Sequence, residues 1–336
     1  METQALGGAD MATVANEMLA RQLRERRERL ETALVEAPGA PDLGRLLREI
    51  DAALERVNAG TYGLCEVCHD PVEPERLAAD PLLRFCLDHL TEREQRELEN
   101  DLQTASRIQR GLLPPQDLAV PGWELHFRWE PAGPVSGDWC DAVRTDDGGL
   151  FFMFGDVSGK GVAAAILMSH LHATFRALAA AGSTVPELVE RANRAFREST
   201  PSPYFATLVC GRASSDGRIE VCNAGHCPPF VVSSGGVATV DPTGLPVGTF
   251  YSNRYGSRTL SLSRGDILVL YTDGLTEARD RSDSEYGTQR LAGTLARVHD
   301  LSPRGVVDVC LGDLAAHLAG APKRDDLTVM AIRRAA

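Results

Sequence analysis

Pro114 and Pro115 split this 336-residue chain between two hydrophobic rhythms. Neither proline has an amide hydrogen to donate, and each fixes φ, so a helix arriving from the N-terminal side must stop there. Upstream, apolar residues recur at helical spacing: Leu19, Leu23, Leu30 and Leu34, then Leu46, Leu47, Ile50, Leu54 and Val57. The stretch "EAPGAPDLG" between these sets reads as the turn of a helical hairpin. "LTEREQRELENDLQTASRIQRGLLPP" then resumes the helical pattern. In it Leu98, Ala105 and Leu112 fall seven apart with Ile108 between them, a short heptad seam. Such a seam suits either a coiled-coil homodimer or a helix packed on the domain that follows.

Beyond the prolines the pattern changes to short β-rich runs. These are "WELHFRW", "DWCDAVRT", "GLFFMFGDV", "YFATLVCGR", "RIEVCNAG", "PFVVSS", "RTLSLS", "DILVLYTDG" and "LTVMAIRR", with turn signals such as "TDDGG", "SSDG" and "SSGG" between several of them. Helical stretches are predicted at 162–181, 185–198, about 286–299 and 303–319. Hairpin-linked strands with grouped helices predict an α+β sandwich in preference to a doubly wound parallel sheet.

The bulk composition narrows the partners. A formal net charge of −12 lacks the basic face that direct nucleic-acid binding needs. No run approaches the ~20 apolar residues of a membrane helix, and the N-terminus has no basic flank and apolar centre of a secretory signal. A cytoplasmic protein is expected, without membrane contact. There the eight cysteines stay reduced, so paired spacings point to metal before disulfides.

Cys65, Cys68, Cys86 and His89 give C-x2-C-x17-C-x2-H. Two chelating pairs at this separation can close a tetrahedral zinc site with no open position, which is structural and not catalytic. His69 and Asp88 lie close enough in sequence to substitute for a ligand. The segment "ALERVNAGTYGLCEVCHDPVEPERLAADPLLRFCLDH" resembles the DksA/TraR zinc finger, through "GTYGLCEVC", "PERLAADP" and the preceding hairpin. That resemblance covers about residues 20–95. It implies one bound Zn²⁺ and, in that family, contact with RNA polymerase. The last ligand here is His89 where the family usually has cysteine. The hairpin tip also lacks the paired aspartates of polymerase-directed members, which weakens a polymerase role and leaves a dimerising or sensing module.

Four aspartates share a local setting at strand ends or adjoining turns: Asp138 in "SGDWCD", Asp156 in "GDVSGKG", Asp273 in "YTDGLTE" and Asp325 in "KRDDLTV". Carboxylates are the ligands that hard cations such as Mg²⁺ or Mn²⁺ require. "GDVSGKG" is not a nucleotide-binding P-loop. Counting back from Gly159-Lys160, the required first glycine is Phe154, and Gly161 stands where serine or threonine belongs. Lys160 reads as a solvated surface lysine, with a substrate phosphate as its alternative. Cys140, Cys222 and Cys227 lie in no phosphate-binding loop and read as small buried residues. His226 in "NAGH" reads as a histidine fixing a turn, with general acid as the alternative. His170 and His172 read as packing or surface positions.

"SGDWCD", "GDVSGKGVAAAILMS", "FATLV", "NAGHCPPF", "PTGLPVG", "YTDGLTEA" and "DDLTVM" occur in the order found in SpoIIE/RsbU-type serine phosphatases, a branch of the PPM (protein phosphatase 2C-like) family. The resemblance spans about residues 105–334, and "ASRIQRGLLP" resembles the regulatory linker helix before that domain. It implies an α-β-β-α sandwich and hydrolysis of phosphoserine or phosphothreonine on a protein, typically an anti-sigma-factor antagonist in a partner-switching pathway. It also implies two Mn²⁺ or Mg²⁺ ions, whose shared water attacks phosphorus without a covalent enzyme intermediate. By motif position Asp138 matches the first metal aspartate, Asp156 the one shared by both ions, and Val157 the residue whose carbonyl lies near the metal. Asp273 and Asp325 match the later ligands, Asp326 assists, and Asp141 is an outer-shell candidate. Trp139-Cys140 departs from the usual tyrosine or phenylalanine.

The expected organisation is a helical hairpin at 1–58, a zinc finger at 59–90, a linker helix at 91–118 and a phosphatase domain at 119–336. The rival expectation is a transcription-associated binding protein that acts through the DksA/TraR-like module, with the second domain as a docking body.

Overall fold

The computed structural model describes residues 6–36, 41–179, 183–200 and 203–335, in two compact units, Met1–Asn100 and Asp101–Ala336. In the first unit α1 (Leu6–Glu36) and α2 (Pro41–Asn58) are the two helices expected from the leucine spacing. Part of the predicted hairpin turn, 37–40, lies outside the described residues. Leu19 and Leu23 of α1 and Ile50 and Ala53 of α2 are buried with Tyr62, Val72 and Leu77 of the segment that follows. The helix pair is therefore the hydrophobic floor of the cysteine-bearing loops, which are too short to build a core alone. A short α3 (Pro74–Ala79) and a 3₁₀ turn (Leu87–His89) lead to α4 (Glu92–Leu112). Leu98 and Ile108 of the heptad seam are exposed.

The second unit has two antiparallel sheets among its described residues. Nearest the prolines are β1 (Asp117–Val120) and β2 (Trp123–Glu130), followed by β3 (Trp139–Arg144) and β4 (Leu150–Val157). After α5 (Gly161–Ala179) and α6 (Val185–Ser199) come β5 (Ala206–Ala213), β6 (Arg218–Ala224), β7 (Phe230–Ser233), β8 (Gly236–Thr239), β9 (Arg258–Ser261) and β10 (Ile267–Tyr271). The chain ends in α7 (Asp273–Thr276), α8 (Thr288–Leu295), α9 (Pro303–Leu318) and β11 (Leu327–Arg334). One sheet runs β1-β2-β11-β10-β7-β8 and the other β3-β4-β5-β6-β9.

The run "LFFMF" shows how the layers stack. Phe151 and Met153 face α5 and α6, in a core with Met168, Phe175 and Phe196. Leu150, Phe152 and Phe154 face the other sheet, meeting Trp123, Leu268, Leu270 and Met330. Strand alternation thus gives β4 two buried faces, which is why it is apolar from Leu150 to Phe154. The outer face of the six-stranded sheet is covered by α8 and α9 through Leu291, Val306, Val307 and Leu314. Each large side chain buried in these layers contributes roughly 1.5–3 kcal/mol. The result is an α-β-β-α sandwich.

Contrary to the sequence expectation, one helix among the described residues, α5, is long and apolar enough to cross a membrane. In the fold its Ala164, Ala165, Met168, Leu171 and Phe175 are buried against the five-stranded sheet.

Candidate active site and metal centres

The pairing register gathers the aspartates. Trp139 of β3 pairs with Gly155 of β4, so the start of one strand and the end of the other meet. In the opposing sheet Tyr271 of β10 pairs with Val329 of β11, which likewise joins a strand end to a strand start. Asp138 and Asp156 thus come from one sheet, and Asp273 and Asp325 from the other. Two hydroxyls tie the sheets together. Thr272 and Thr328 both donate to Asp138 Oδ2, at 2.9 and 2.6 Å. The Thr328 amide in turn donates to Thr272 Oγ1 at 2.9 Å.

Electrostatics report the same convergence. Burial, and then the charges of Asp273, Asp325 and Asp326, push the Asp156 carboxyl up to about 8. Burial and the Asp156 charge also drive Asp138 well above its ordinary range. Asp273 is raised by burial and by Asp325. Carboxylates crowded and desolvated in this way are stabilised by a cation or by keeping their protons. Every side-chain donor is a hard oxygen, so the set fits a divalent cation of the Mg²⁺ or Mn²⁺ type.

Two glycines let this set close. A Cβ at Gly137 would lie 2.9 Å from the Val157 carbonyl oxygen and 3.1 Å from Asp156 Oδ1. A Cβ at Gly274 would collide with the Asp326 carbonyl oxygen. The Val157 carbonyl is therefore beside Asp156, on the side facing Gly137.

Asp326 has a different task from Asp325. Its Oδ1 accepts from the Ala132 amide at 2.7 Å and its Oδ2 from the Gly137 amide at 2.9 Å, so both oxygens are spent on the loop that carries Asp138. The same loop is held from α4. Buried Gln109 donates to the Ser136 carbonyl at 2.9 Å, and its own carbonyl accepts from the Ser136 amide at 3.0 Å. Ser136 Oγ then accepts from the Asp138 amide at 3.0 Å. Gln109, Gly137, Thr272, Gly274 and Thr328 were not singled out from the sequence. The glycines in "SGD" and "TDG", and a threonine two residues beyond "DD", were the available signals for Gly137, Gly274 and Thr328.

Other candidates stand apart from this cluster. Asp141 points to α5, where Arg176 Nη2 donates at 2.8 Å and His172 Nε2 lies 3.1 Å away. Burial opposes its charge, but His172 and Arg176 hold the carboxyl below its ordinary value. Asp141 thus anchors β3 to the helix layer. His226 donates from Nε2 to the Tyr271 carbonyl at 3.1 Å, which leaves Nδ1 to accept from the Thr207 hydroxyl at 2.8 Å. Burial lowers it to about 4, so it stays neutral and braces β5 against β10. Lys160 is not free in solvent. Its Nζ lies 2.8 Å from Asp325 Oδ2 and donates to the Arg324 carbonyl at 2.8 Å.

In the first unit Cys65, Cys68, Cys86 and His89 offer ligand atoms all within 4.8 Å of one another, the one such His/Cys/Asp/Glu group among the described residues. His69 and Asp88 do not belong to it. Cys68 Sγ and Cys86 Sγ are 3.7 Å apart, close to the ~3.8 Å edge of a tetrahedron with 2.3 Å zinc–sulfur bonds. Burial opposes a thiolate at Cys65, yet the backbone amides of Cys68, Cys86 and Val67 bring it down to about 6. Three sulfurs and one imidazole nitrogen fit a closed zinc site.

Sandwich and carboxylate cluster together define a PP2C-like domain. Residues 146–335 match the family described as Stage II sporulation protein E (SpoIIE), more than half of the chain, and the chain belongs to that family. Residues 60–95 match the prokaryotic dksA/traR C4-type zinc finger, here with His89 as the fourth candidate ligand. Among curated relatives, Protein IcfG of Synechocystis sp. is 29% identical over 265 residues, 70% of this chain and 41% of that protein. Phosphoserine phosphatase RsbU of Bacillus subtilis is 28% identical over 191 residues, 55% of this chain and 56% of that protein. The chain thus spans about half the length of these relatives. The RsbU and RsbW domains of Rv1364c from Mycobacterium tuberculosis are 33% identical with a TM-score of 0.57, over 67% of this chain and 62% of that one. The SiaA-PP2C domain of Pseudomonas aeruginosa shares the fold at 20% identity and a TM-score of 0.63, over 73% of this chain and 99% of that one.

Proposed function

We propose that the chain is a metal-dependent protein phosphatase that hydrolyses phosphoserine or phosphothreonine on a cytoplasmic regulatory protein, an anti-sigma-factor antagonist being the first candidate. The observation that carries this reading is the convergence of Asp138, Asp156, Asp273 and Asp325, where burial and neighbouring carboxylates raise Asp138, Asp156 and Asp273 and so call for cations. Family membership and a relative named as a phosphoserine phosphatase support it. They disfavour the rival role as a docking body for transcription.

In this reading the four carboxylates and the Val157 carbonyl would hold two Mn²⁺ or Mg²⁺ ions. Such ions, when bound, supply an acidified water as nucleophile and neutralise phosphoryl charge. The chain's own residues supply rigidity. Thr272 and Thr328 fix the Asp138 carboxylate, Asp326 and Gln109 fix its loop, and Gly137 keeps the space beside Asp156 clear. Cys65, Cys68, Cys86 and His89 would hold a structural Zn²⁺ that takes no part in the hydrolysis. Residues 119–336 form the phosphatase domain, preceded by a hairpin at 1–58, a finger at 59–90 and a linker helix at 91–118. The exposed Leu98 and Ile108 support homodimerisation through that helix.

The test is release of phosphate from an aryl phosphate in Mn²⁺ or Mg²⁺, abolished by Asp156→Asn, and then from purified phospho-antagonist proteins. A folded, zinc-loaded chain inert toward both with either ion would refute the proposal.

A further inference from the structure

Lys160 closes the turn between β4 and α5. It is flanked by Gly159 at φ +96° and Gly161 at φ +76°, conformations that side-chain-bearing residues rarely adopt. This turn carries its ammonium across to the start of β11, 2.8 Å from Asp325 Oδ2. Its side chain is 61% exposed and that of Asp325 45%, so the pair sits at the mouth of the carboxylate cluster. A cavity opens there, lined by Lys160, Gly274, Glu277, Arg324 and Asp325 among others. Three more cations line it, but each pairs with a carboxylate outside the quartet: Lys323 with Glu130, Arg324 with Asp283, and Arg279 with Asp283 and Glu285. Of these four, Lys160 alone rests on a quartet member.

Charge arithmetic gives this contact a purpose. Two divalent cations cancel the four charges of the quartet, and a phosphoserine dianion then arrives with no counter-charge of its own. A cation that pairs with Asp325 beforehand, and loses that partner when an ion takes the carboxylate, is available at that moment. We infer that Lys160 is a phosphate-binding residue held in reserve: its ammonium occupies Asp325 until a divalent cation competes for that oxygen, and then turns to the phosphoryl oxygens of the substrate. This inference rests on the phosphatase reading above.

The experiment compares the full-length wild type with Lys160→Met and Lys160→Arg. Mn²⁺ binding is measured without substrate by electron paramagnetic resonance. Aryl-phosphate kinetics and inhibition by inorganic phosphate are measured at saturating Mn²⁺. Lys160→Met removes a competitor, so its weaker Mn²⁺ site is expected to tighten about two- to fivefold, the scale of an exposed ion pair. The KM for aryl phosphate and the inhibition constant for phosphate are expected to rise about tenfold, the scale of one charge-assisted contact. Lys160→Arg, which keeps the charge, is expected to recover most of the phosphate affinity. Unchanged phosphate inhibition in Lys160→Met overturns the inference, whatever its Mn²⁺ affinity. If the wild type binds Mn²⁺ and turns over while that variant matches it, the lysine inference alone fails. A wild type that neither binds Mn²⁺ nor turns over overturns the phosphatase reading and the lysine inference with it.

Discussion

Replacing Gln109 by leucine removes both halves of the clamp that α4 places on the Asp138 loop. Gln109 is 3% exposed and Ser136 is fully buried, so water cannot take over either bond. The Ser136 amide and carbonyl are each left without this partner, at about 1–3 kcal/mol apiece, or roughly 2–6 kcal/mol together. In a unit running from Asp101 to Ala336 that loss lowers the melting temperature by about 4–24 °C. Part of the cost falls on the site, because Ser136 Oγ also receives the Asp138 amide. The Mn²⁺ concentration for half-maximal aryl-phosphate hydrolysis is therefore expected to rise as well. Gln109→Glu is the informative control. Its carboxylate still accepts from the Ser136 amide but turns a second oxygen toward the Ser136 carbonyl, so its metal midpoint should move as well. Thermal unfolding read alongside a Mn²⁺ titration separates the two effects. If the leucine variant melts within about 2 °C of wild type with an unchanged midpoint, the clamp carries neither stability nor position, and the argument from orphaned backbone groups is wrong.

The remaining expectations concern geometry, zinc and protons. Gly137→Ala introduces a methyl 2.9 Å from the Val157 carbonyl and 3.1 Å from Asp156 Oδ1. Calorimetry should show metal affinity reduced by about tenfold or more, with a smaller effect on melting, since strain falls on the candidate ligands. His89→Ala should release zinc and melt the finger while His89→Cys retains it; metal content and far-ultraviolet dichroism of the full chain decide this. The pH dependence has a definite sign. In ion-free protein Asp156 is raised from its ordinary 3.8 to about 8, so the folded chain binds more protons than the unfolded one across that window. Stability without divalent cations should fall as pH rises from about 4 to about 8, and cation affinity should rise over the same span. Melting in metal-depleted buffer at several pH values checks the first, and an upward trend there would contradict the assignment.

The candidate ligands stood out in the sequence because their chemistry is local. Asp138, Asp156, Asp273 and Asp325 each adjoin a β-rich run, and strand ends hold side chains where a ligand can reach them. The long strands were legible for the same reason: β4 from Leu150 to Phe154 and β11 from Val329 to Ile332 are continuous apolar runs buried on both faces. The short edge strands were not. β1 ("DLAV") and β8 ("GVAT") have four residues each, partly exposed, too few to show alternation. The one-turn helix "DGLT" of α7 resembles a plain turn until the fold shows Asp273 as its first residue. What escaped most completely is positioning. Asp325 and Asp326 are chemically identical neighbours, and only the placement of the Ala132 and Gly137 amides, nearly 190 residues away in sequence for Gly137, separates ligand candidate from loop anchor. Gln109 reaches Ser136 across 27 residues and Thr328 reaches Asp138 across 190. These long-range bonds all converge on the single loop that delivers Asp138, the most deeply buried acid of the quartet. A carboxylate so desolvated cannot find its place by attraction to water or to a mobile partner. It has to be held there by the structure around it, and the bonds from Gln109, Asp326, Thr272 and Thr328 fix this carboxyl group and its loop before any cation arrives.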